Sequence, residues 1–234
     1  MLPTALLHGF GTSRHLWRRV LEEHAALTPE LPGFGDAAPL GREGQTVGDM
    51  ARALAATLRA AGGGPYRLAG HSMGGKVALL LALRQPDLVG ELLLIAPSPP
   101  SPEPMTPQGR ADLRAAWGDR EALEGQYRHI TRLPTPPEDL AGFVRDGERA
   151  SHAAWTAWTD VGSLEDLRPE LDRSRWSVPV TVLFSEDDPV MTPDVIRREV
   201  LSALPGARAV PIRGSGHLLP LERPGAVTAL LDQP

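Results

Sequence analysis

The stretch Gly70-His71-Ser72-Met73-Gly74-Gly75 constrains this chain more than any other. A short, largely apolar run, Tyr66-Arg67-Leu68-Ala69, precedes it, and Lys76-Val77-Ala78-Leu79-Leu80-Leu81-Ala82-Leu83 follows. Together they read as a buried strand, a sharp turn and a buried helix, with a serine at the turn. A strand-to-helix turn this tight holds its central residue in a strained conformation that projects the side chain outward. Only very small residues fit two places before and after it, and Gly70 and Gly74 occupy those places. Gly75 leaves room for the helix to lie close to the sheet. The helix start aims free N–H groups and a positive dipole end at whatever forms beside Ser72. Glycine and serine also collect in ordinary turns, so G-x-S-x-G draws its meaning from the strand before it and the helix after it. Ser72 is the candidate nucleophile.

The rest of the chain alternates in the same way. Thr4-Ala5-Leu6-Leu7 reads as a short buried strand ending in His8-Gly9-Phe10-Gly11. Residues 15–24 have helical spacing, with Leu16, Trp17 and Val20 facing inward, and a weak strand follows at 25–28. The turn-rich Leu31-Pro32-Gly33-Phe34-Gly35-Asp36 comes next. Thr46 and Asp49 fit a capping box for a helix carrying Met50, Leu54 and Leu58, which Gly62-Gly63-Gly64 stops. A further strand is expected at 91–96. Strands alternating with helices imply parallel pairing with helices on both faces.

From Pro97 to Pro107 proline and serine crowd the chain, which reads as a linker. Residues from about 109 to 171 then read as several short helices without strands, holding Trp117, Tyr127, Phe143, Trp155 and Trp158. These rings form a small helical core of their own, or some of them, Trp117, Tyr127, Trp155 and Trp158, line an apolar substrate pocket. Trp155 and Trp158 lie three apart on one helical face, so one can pack inward while the other looks over the site. The alternation resumes with a strand at 180–184 that ends in Ser185-Glu186-Asp187-Asp188-Pro189, and Thr192-Pro193 opens a helix. A last strand at 208–212 ends in Arg213-Gly214-Ser215-Gly216-His217, and a helix around 226–231 closes the chain.

Composition narrows the function. With 234 residues, 41% of them hydrophobic, the chain has enough apolar material for one sizeable core. The net charge of −5 comes without long charged runs, so nothing points to nucleic acid or an acidic lipid surface. No cysteine is present, which excludes disulfides, thiolate catalysis and cysteine metal sites. No long apolar run resembles a membrane span or a signal core, so a soluble cytoplasmic protein, monomer or homodimer, is expected.

Polar residues with chemistry fall where a parallel sheet places them, beyond the carboxyl ends of strands. Ser72, Asp188 and His217 each follow a strand, in the order serine, acid, histidine. A hydroxyl needs a base within hydrogen-bond reach, and the base needs a carboxylate to fix its tautomer. Asp187 is a rival for the acid.

In these motifs the chain resembles the α/β-hydrolase superfamily, in particular its compact esterases with a helical cap. The resemblance rests on His8-Gly9-Phe10-Gly11, Leu31-Pro32-Gly33-Phe34-Gly35, Gly70-His71-Ser72-Met73-Gly74-Gly75, Glu186-Asp187-Asp188 and Gly216-His217, in family order. It implies an α/β-hydrolase fold: a mostly parallel sheet flanked by helices, shortened at the N-terminal side, with an inserted helical cap. The core is expected at 1–97 and 178–234, and the linker and cap at 98–177. Family spacing favours Asp188 over Asp187 as the acid. The backbone N–H groups of Phe10 and Met73 are expected to form the oxyanion hole, each worth about 3 kcal/mol to a transition state when preorganised.

The family usually begins with two further strands, so the missing edge is expected to be exposed or paired with another subunit. Glu30 stands where the family has aspartate and Ala37 where it often has serine. His8 and His71 are expected to hold loops; His15, His24, His129 and His152 to lie on the surface or cap, with no metal cluster among them. No cofactor is expected. A serine at position 72 argues against the superfamily's dehalogenases and epoxide hydrolases, which use aspartate there. The expected activity is hydrolysis of carboxylic esters of small, largely apolar substrates through an acyl-enzyme. Carbon–carbon hydrolases, lactonases, cofactor-free haloperoxidase or perhydrolase homologues and a menaquinone-pathway lyase resemble the same triad. A non-catalytic ligand-binding protein on this scaffold is the alternative of another class.

Overall fold

Five runs rich in leucine, valine and isoleucine become the strands of one sheet in the computed structural model, which describes residues 2–173 and 177–233. They are β1 (Thr4–Leu7), β2 (Tyr66–His71), β3 (Val89–Ile95), β4 (Val180–Ser185) and β5 (Arg208–Ile212), all parallel and ordered β1-β2-β3-β4-β5. Every residue of β1 and β2 is buried, as expected of a parallel sheet covered on both faces. Only β5, at the edge, is largely open to solvent.

The strand expected at 25–28 shrinks to one parallel bridge between Leu27 and Ala5, made by Leu6 N–H to Leu27 O at 2.8 Å and Leu27 N–H to Thr4 O at 2.9 Å. That bridge decides the topology. The chain leaves β1 outward to Leu27, then crosses to the other side of β1 to form β2. The direction of winding reverses there, and such a reversal opens a crevice beyond the carboxyl ends of the two strands. The loops carrying His8–Gly9 and Ser72 both emerge into it.

The helix expected over 15–24 is shorter. A 3-10 turn, Arg14–Trp17, runs into the single turn α1 (Arg18–Leu21), with Leu16, Trp17 and Val20 buried. The capping box of α2 (Val47–Ala60) is present in both directions: Asp49 N–H donates to Thr46 Oγ1 at 3.0 Å, and Thr46 N–H donates to Asp49 Oδ2 at 2.9 Å. Helix α3 (Met73–Arg84) is buried from Met73 through Ala82, as a helix apolar on all sides must be. Leu79, Leu80 and Leu81 are almost wholly enclosed, and each such burial is worth about 2 kcal/mol.

Between β3 and β4 lie α4 (Pro107–Ala115), α5 (Arg120–Ile130), α6 (Pro137–Arg149), α7 (His152–Asp160) and α8 (Arg168–Arg173), with no strand among the described residues. Thr106 and Asp119 cap α4 and α5 by accepting N–H bonds from Gly109 and Ala122. The Trp155 indole on α7 donates to Leu113 O on α4 at 2.9 Å. Residues 174–176, within the segment assigned to the cap, lie outside the described residues. After β4 come α9 (Pro193–Val195), continued by a π-helical stretch Ile196–Leu201, then α10 (Leu219–Glu222) and α11 (Pro224–Leu231).

The proline-rich segment after β3 is not a loose linker. Ser98, Ser101 and Glu103 are buried, and the backbone is tied down by Ser98 N–H to Ser72 O, Glu103 N–H to Ser163 O and Leu167 N–H to Pro100 O. Proline forbids regular structure there, but it does not forbid an extended chain whose remaining donors find carbonyls in neighbouring elements.

Candidate active site

Ser72 stands at the switch point with φ 51° and ψ −121°, a positive φ that L-residues rarely adopt. The turn survives because its neighbours have no side chains. A Cβ on Gly70 would lie 2.5 Å from Gly74 O, and one on Gly74 would lie 2.4 Å from His8 O. Gly75 is needed for a different contact: its Cβ would lie 2.8 Å from Cβ of Pro97, in the segment after β3. Ala96, at the end of β3, also has positive φ, 40°. Two strained residues on adjacent strand ends therefore flank the crevice.

Asp188 and His217 meet. The imidazole Nδ1 lies 2.7 Å from Asp188 Oδ2, with the acid fully enclosed and the histidine nearly so. Asp188 Oδ1 accepts the N–H groups of Val190, at 2.7 Å, and Met191, at 3.0 Å. Burial alone would raise the Asp188 carboxyl, but His217 and the two amides outweigh it and hold it below its ordinary value. Burial likewise pushes His217 down, and the Asp188 charge, followed by Glu103 and Glu222, brings it above its ordinary value. Asp187 is exposed and accepts the Gly214 N–H at 2.7 Å, so it braces the loop before His217 rather than touching the imidazole.

Ser72 and His217 line one small chamber together with Phe10, His71, Phe143 and Trp158. Among the described residues no hydrogen bond joins the Ser72 hydroxyl to His217; contacts of this kind commonly tighten only when substrate is bound. The N–H of Met73 is the first of α3 and has no intrahelical partner, and that of Phe10 donates to no other backbone carbonyl among the described residues.

Two further histidines shape the chamber without exposure to solvent. His8 Nδ1 donates to Gly9 O at 2.8 Å, which leaves Nε2 to accept the Leu31 N–H at 3.1 Å. His71 Nε2 donates to His217 O at 2.9 Å. Burial, and then the charge of His217, push His71 down to about 3, so it stays neutral. A Cβ on Gly9 would meet His71 Nδ1 at 2.7 Å, so Gly9 is required for this packing.

Of the aromatic residues expected to line a pocket, Trp158 alone borders the chamber. Trp155 packs under it, with ring centroids 4.4 Å from Phe10. Tyr127 packs on Phe143 and bonds Thr135, and Trp117 is exposed, donating to Ala150 O and resting on His152. Tyr127 and Trp117 are held by contacts within the segment, whereas Trp155 packs across to Phe10 in the loop after β1. His129, expected on the surface or cap, lines the mouth of a larger cavity.

That larger cavity, about 670 Å³, does not itself reach Ser72, whereas the chamber around Ser72 is about 80 Å³. They share a wall that includes Glu103, Leu113, Gln126, Ile130 and Met191. We call them chamber and vestibule, because the chemistry places the site at Ser72 and the larger cavity adjoins it.

Three residues of the site carried no local sequence signal. Glu103 lines both cavities; burial raises its carboxyl above the ordinary range, although the Ser98 hydroxyl it accepts from and the Lys76 charge oppose the shift. Lys76, the only lysine, is enclosed within α3, and its Nζ donates to Ser101 O at 3.1 Å and Glu165 O at 2.6 Å. Glu222 accepts the Gly216 N–H at 2.9 Å, beside His217. Each was visible only as an isolated charged residue.

Among the described residues no group of histidine, aspartate and glutamate is arranged to hold a metal, and no helix is long and apolar enough to cross a membrane. The sequence profile of the alpha/beta hydrolase family matches residues 5–230. The chain is 29% identical over 239 residues to a pimeloyl-[acyl-carrier protein] methyl ester esterase of Neisseria meningitidis serogroup B, covering 96% of this chain and 89% of that one. It is 27% identical over 240 residues to a 2-succinyl-6-hydroxy-2,4-cyclohexadiene-1-carboxylate synthase of an Enterobacter strain, covering 97% and 89%. The crystal structure of an enol-lactonase from Burkholderia xenovorans superposes with a TM-score of 0.80 over 99% of this chain and 90% of that one, at 22% identity, a likeness of fold. With a profile matched over nearly its whole length, a parallel sheet of the expected kind and esterase relatives, this chain is an enzyme and belongs to the α/β-hydrolase family.

Proposed function

We propose that this protein hydrolyses carboxylic esters of small, largely apolar substrates through an acyl-enzyme. Ser72 attacks the carbonyl, His217 takes the hydroxyl proton and returns it to the leaving alcohol, and Asp188 orients His217 and stabilises its charged form. The Phe10 and Met73 amides receive the oxyanion, and water then releases the acyl group by the same steps in reverse order. Residues 1–97 and 178–234 act as the hydrolase core, and 98–177 as the linker and cap that shape the pocket. The observation that carries this reading is the enclosed 2.7 Å contact of Asp188 with His217, facing a strained serine across one chamber. The small chamber suits a short group on one side of the scissile bond, since about 80 Å³ equals roughly three water volumes. The vestibule suits a larger group on the other.

The test is mass spectrometry after incubation with a fluorophosphonate, alongside turnover of p-nitrophenyl esters from acetate to decanoate. Labelling confined to Ser72, with kcat reduced on the order of 10⁶ in Ser72→Ala, is the expected result. Turnover by the Ser72→Ala variant comparable to wild type refutes the mechanism. Labelling of Ser72 without turnover of any ester moves the assignment to carbon–carbon or lactone substrates.

A further inference from the structure

The wall between chamber and vestibule is apolar, with Met105, Leu113, Ile130 and Met191 in it, except at two positions. Glu103 and Gln126 line both cavities. They come from different elements, Glu103 from the buried segment after β3 and Gln126 from α5. Gln126 Oε1 is sealed from solvent and has no hydrogen-bond partner among the described residues. One Glu103 oxygen accepts from Ser98; its second oxygen has no hydrogen-bond partner among the described residues and is not sealed from the cavity. One acceptor oxygen, on Glu103, therefore borders the cavities without a donor, and the orphan oxygen of Gln126 lies sealed behind the same wall. Such groups are costly inside a protein, and one open to a cavity is relieved when a ligand supplies the missing hydrogen.

The charge around them points the same way. Among the described residues, no arginine or lysine lines either cavity, although the chain has 24 of them. Two cations outside both linings act on Glu103, and both are turned away to other groups: Lys76 Nζ to Ser101 O and Glu165 O, and Arg110 to Thr159 O and Ser163 Oγ. The vestibule adds a second carboxyl, Asp112. A carboxylate reaching the shared wall meets the Glu103 carboxyl in apolar surroundings, and the basic side chains on the two linings, His129 in the vestibule and His71 and His217 in the chamber, lie off that wall.

We propose that Glu103 and Gln126 are specificity-determining residues, selecting esters whose non-reacting part carries a hydrogen-bond donor, a hydroxyl or amide N–H, and rejecting those that carry a carboxylate there. This rests on the ester-hydrolase reading above. The selection works by differential pairing. A hydroxyl or amide proton satisfies the open Glu103 oxygen, a methyl group leaves it as it is, and a carboxylate adds repulsion to it.

The test compares p-nitrophenyl hexanoate, 6-hydroxyhexanoate and the adipate monoester, an anion at neutral pH, on wild type, Glu103→Gln, Glu103→Leu and Gln126→Leu. In wild type, kcat/KM for the hydroxy ester is expected to exceed that for the anionic ester at least tenfold. The two Glu103 variants narrow that ratio at least fivefold, and Gln126→Leu lowers the preference for hydroxy over plain hexanoate. The same order is expected without chemistry, in dissociation constants of hexanamide, 6-hydroxyhexanamide and adipamate on Ser72→Ala. Should wild type hydrolyse none of the esters, the hydrolytic reading fails, and the binding order on Ser72→Ala decides the pocket alone. The proposal is overturned if wild type accepts the anion within threefold of the hydroxy compound, or if neither Glu103 variant moves the ratio.

Discussion

Glu222 is the residue whose removal is most informative, because its carboxylate joins the histidine loop to the far end of α5. Its Oε1 accepts three backbone N–H groups: Arg132 at 2.7 Å, Leu133 at 3.0 Å and Gly216 at 2.9 Å. The other oxygen, Oε2, is sealed and has no partner among the described residues. The same junction is closed by His217 N–H to Ile130 O at 2.7 Å, so tightly that a Cβ on Gly216 would lie 2.1 Å from that carbonyl. In Glu222→Gln the shape is kept and the charge is lost. Hydrogen bonds to a charged acceptor contribute about 1 kcal/mol more than those to a neutral one, which makes about 3 kcal/mol for the three. The new amide group also places unpartnered donors at the Oε2 site, while removing a buried charge offsets part of the loss. A net destabilisation of about 3 kcal/mol lowers Tm by roughly 6–12 °C in a domain of this size. Because Gly216 precedes His217, kcat/KM for esters falls about tenfold, and the acid limb of its pH profile moves down, since Glu222 helps to raise His217. Calorimetry and ester kinetics on wild type and variant read both. A Tm within about 2 °C of wild type, with the acid limb unmoved, refutes the reasoning.

Other perturbations follow from the same geometry. His217 must be neutral to accept a proton, so wild-type kcat/KM is lost as pH falls through a value above 6.5; Asp188→Asn lowers the rate roughly 10⁴-fold and shifts that limb to lower pH, and an unshifted limb argues against the pair. Lys76 titrates at about 8 when folded, against 10.5 for its ordinary value, because burial disfavours its charge. The unfolded chain then binds more protons between those values, so wild type gains up to about 3 kcal/mol of stability as pH rises from 8 to 10.5, and Lys76→Met removes that gain in denaturant titrations. Gly74→Ala drives a Cβ against the backbone oxygens of His8 and Leu7 and is expected to cost about 3 kcal/mol or more. Gly125→Ala on α5 meets nothing within 4 Å and is expected to gain about 1 kcal/mol; equal effects of the two glycine variants would show that close approach is not what Gly74 provides.

Much of this enzyme was legible in the chain because it is written locally. Strands and helices of a parallel sheet are set by short apolar runs and by caps such as Thr46 and Asp49, whose partners lie within a few residues. The turn at Ser72 is readable for the same reason, since Gly70 and Gly74 are small to suit contacts inside one strand–turn–helix unit. Ser72, Asp188 and His217 could be picked out by type and by their places after strands, before any distance was known. The strand at 25–28 failed at the same level: one bridge at Leu27 is too little pairing for a local pattern to register.

What the sequence could not decide depends on contacts between distant segments. Asp188 rather than Asp187 meets His217 because the turn after β4 points one carboxylate inward to two amides and the other outward to Gly214. Glu103 sits in a proline-rich run that reads as a linker, and becomes part of the pocket only because that run lies against Ser72 and Ser163. Trp155 and Trp158 have the same spacing from their neighbours, yet one is spent on packing against Phe10 and the other borders the chamber. The sequence alone determined the elements and the chemical types at their ends, since those follow from short-range sterics and hydrophobic periodicity. Tertiary structure alone decided which charges are buried, which oxygens lack donors and which rings line the cavity, because burial and pairing are properties of the neighbours that folding brings from elsewhere in the chain.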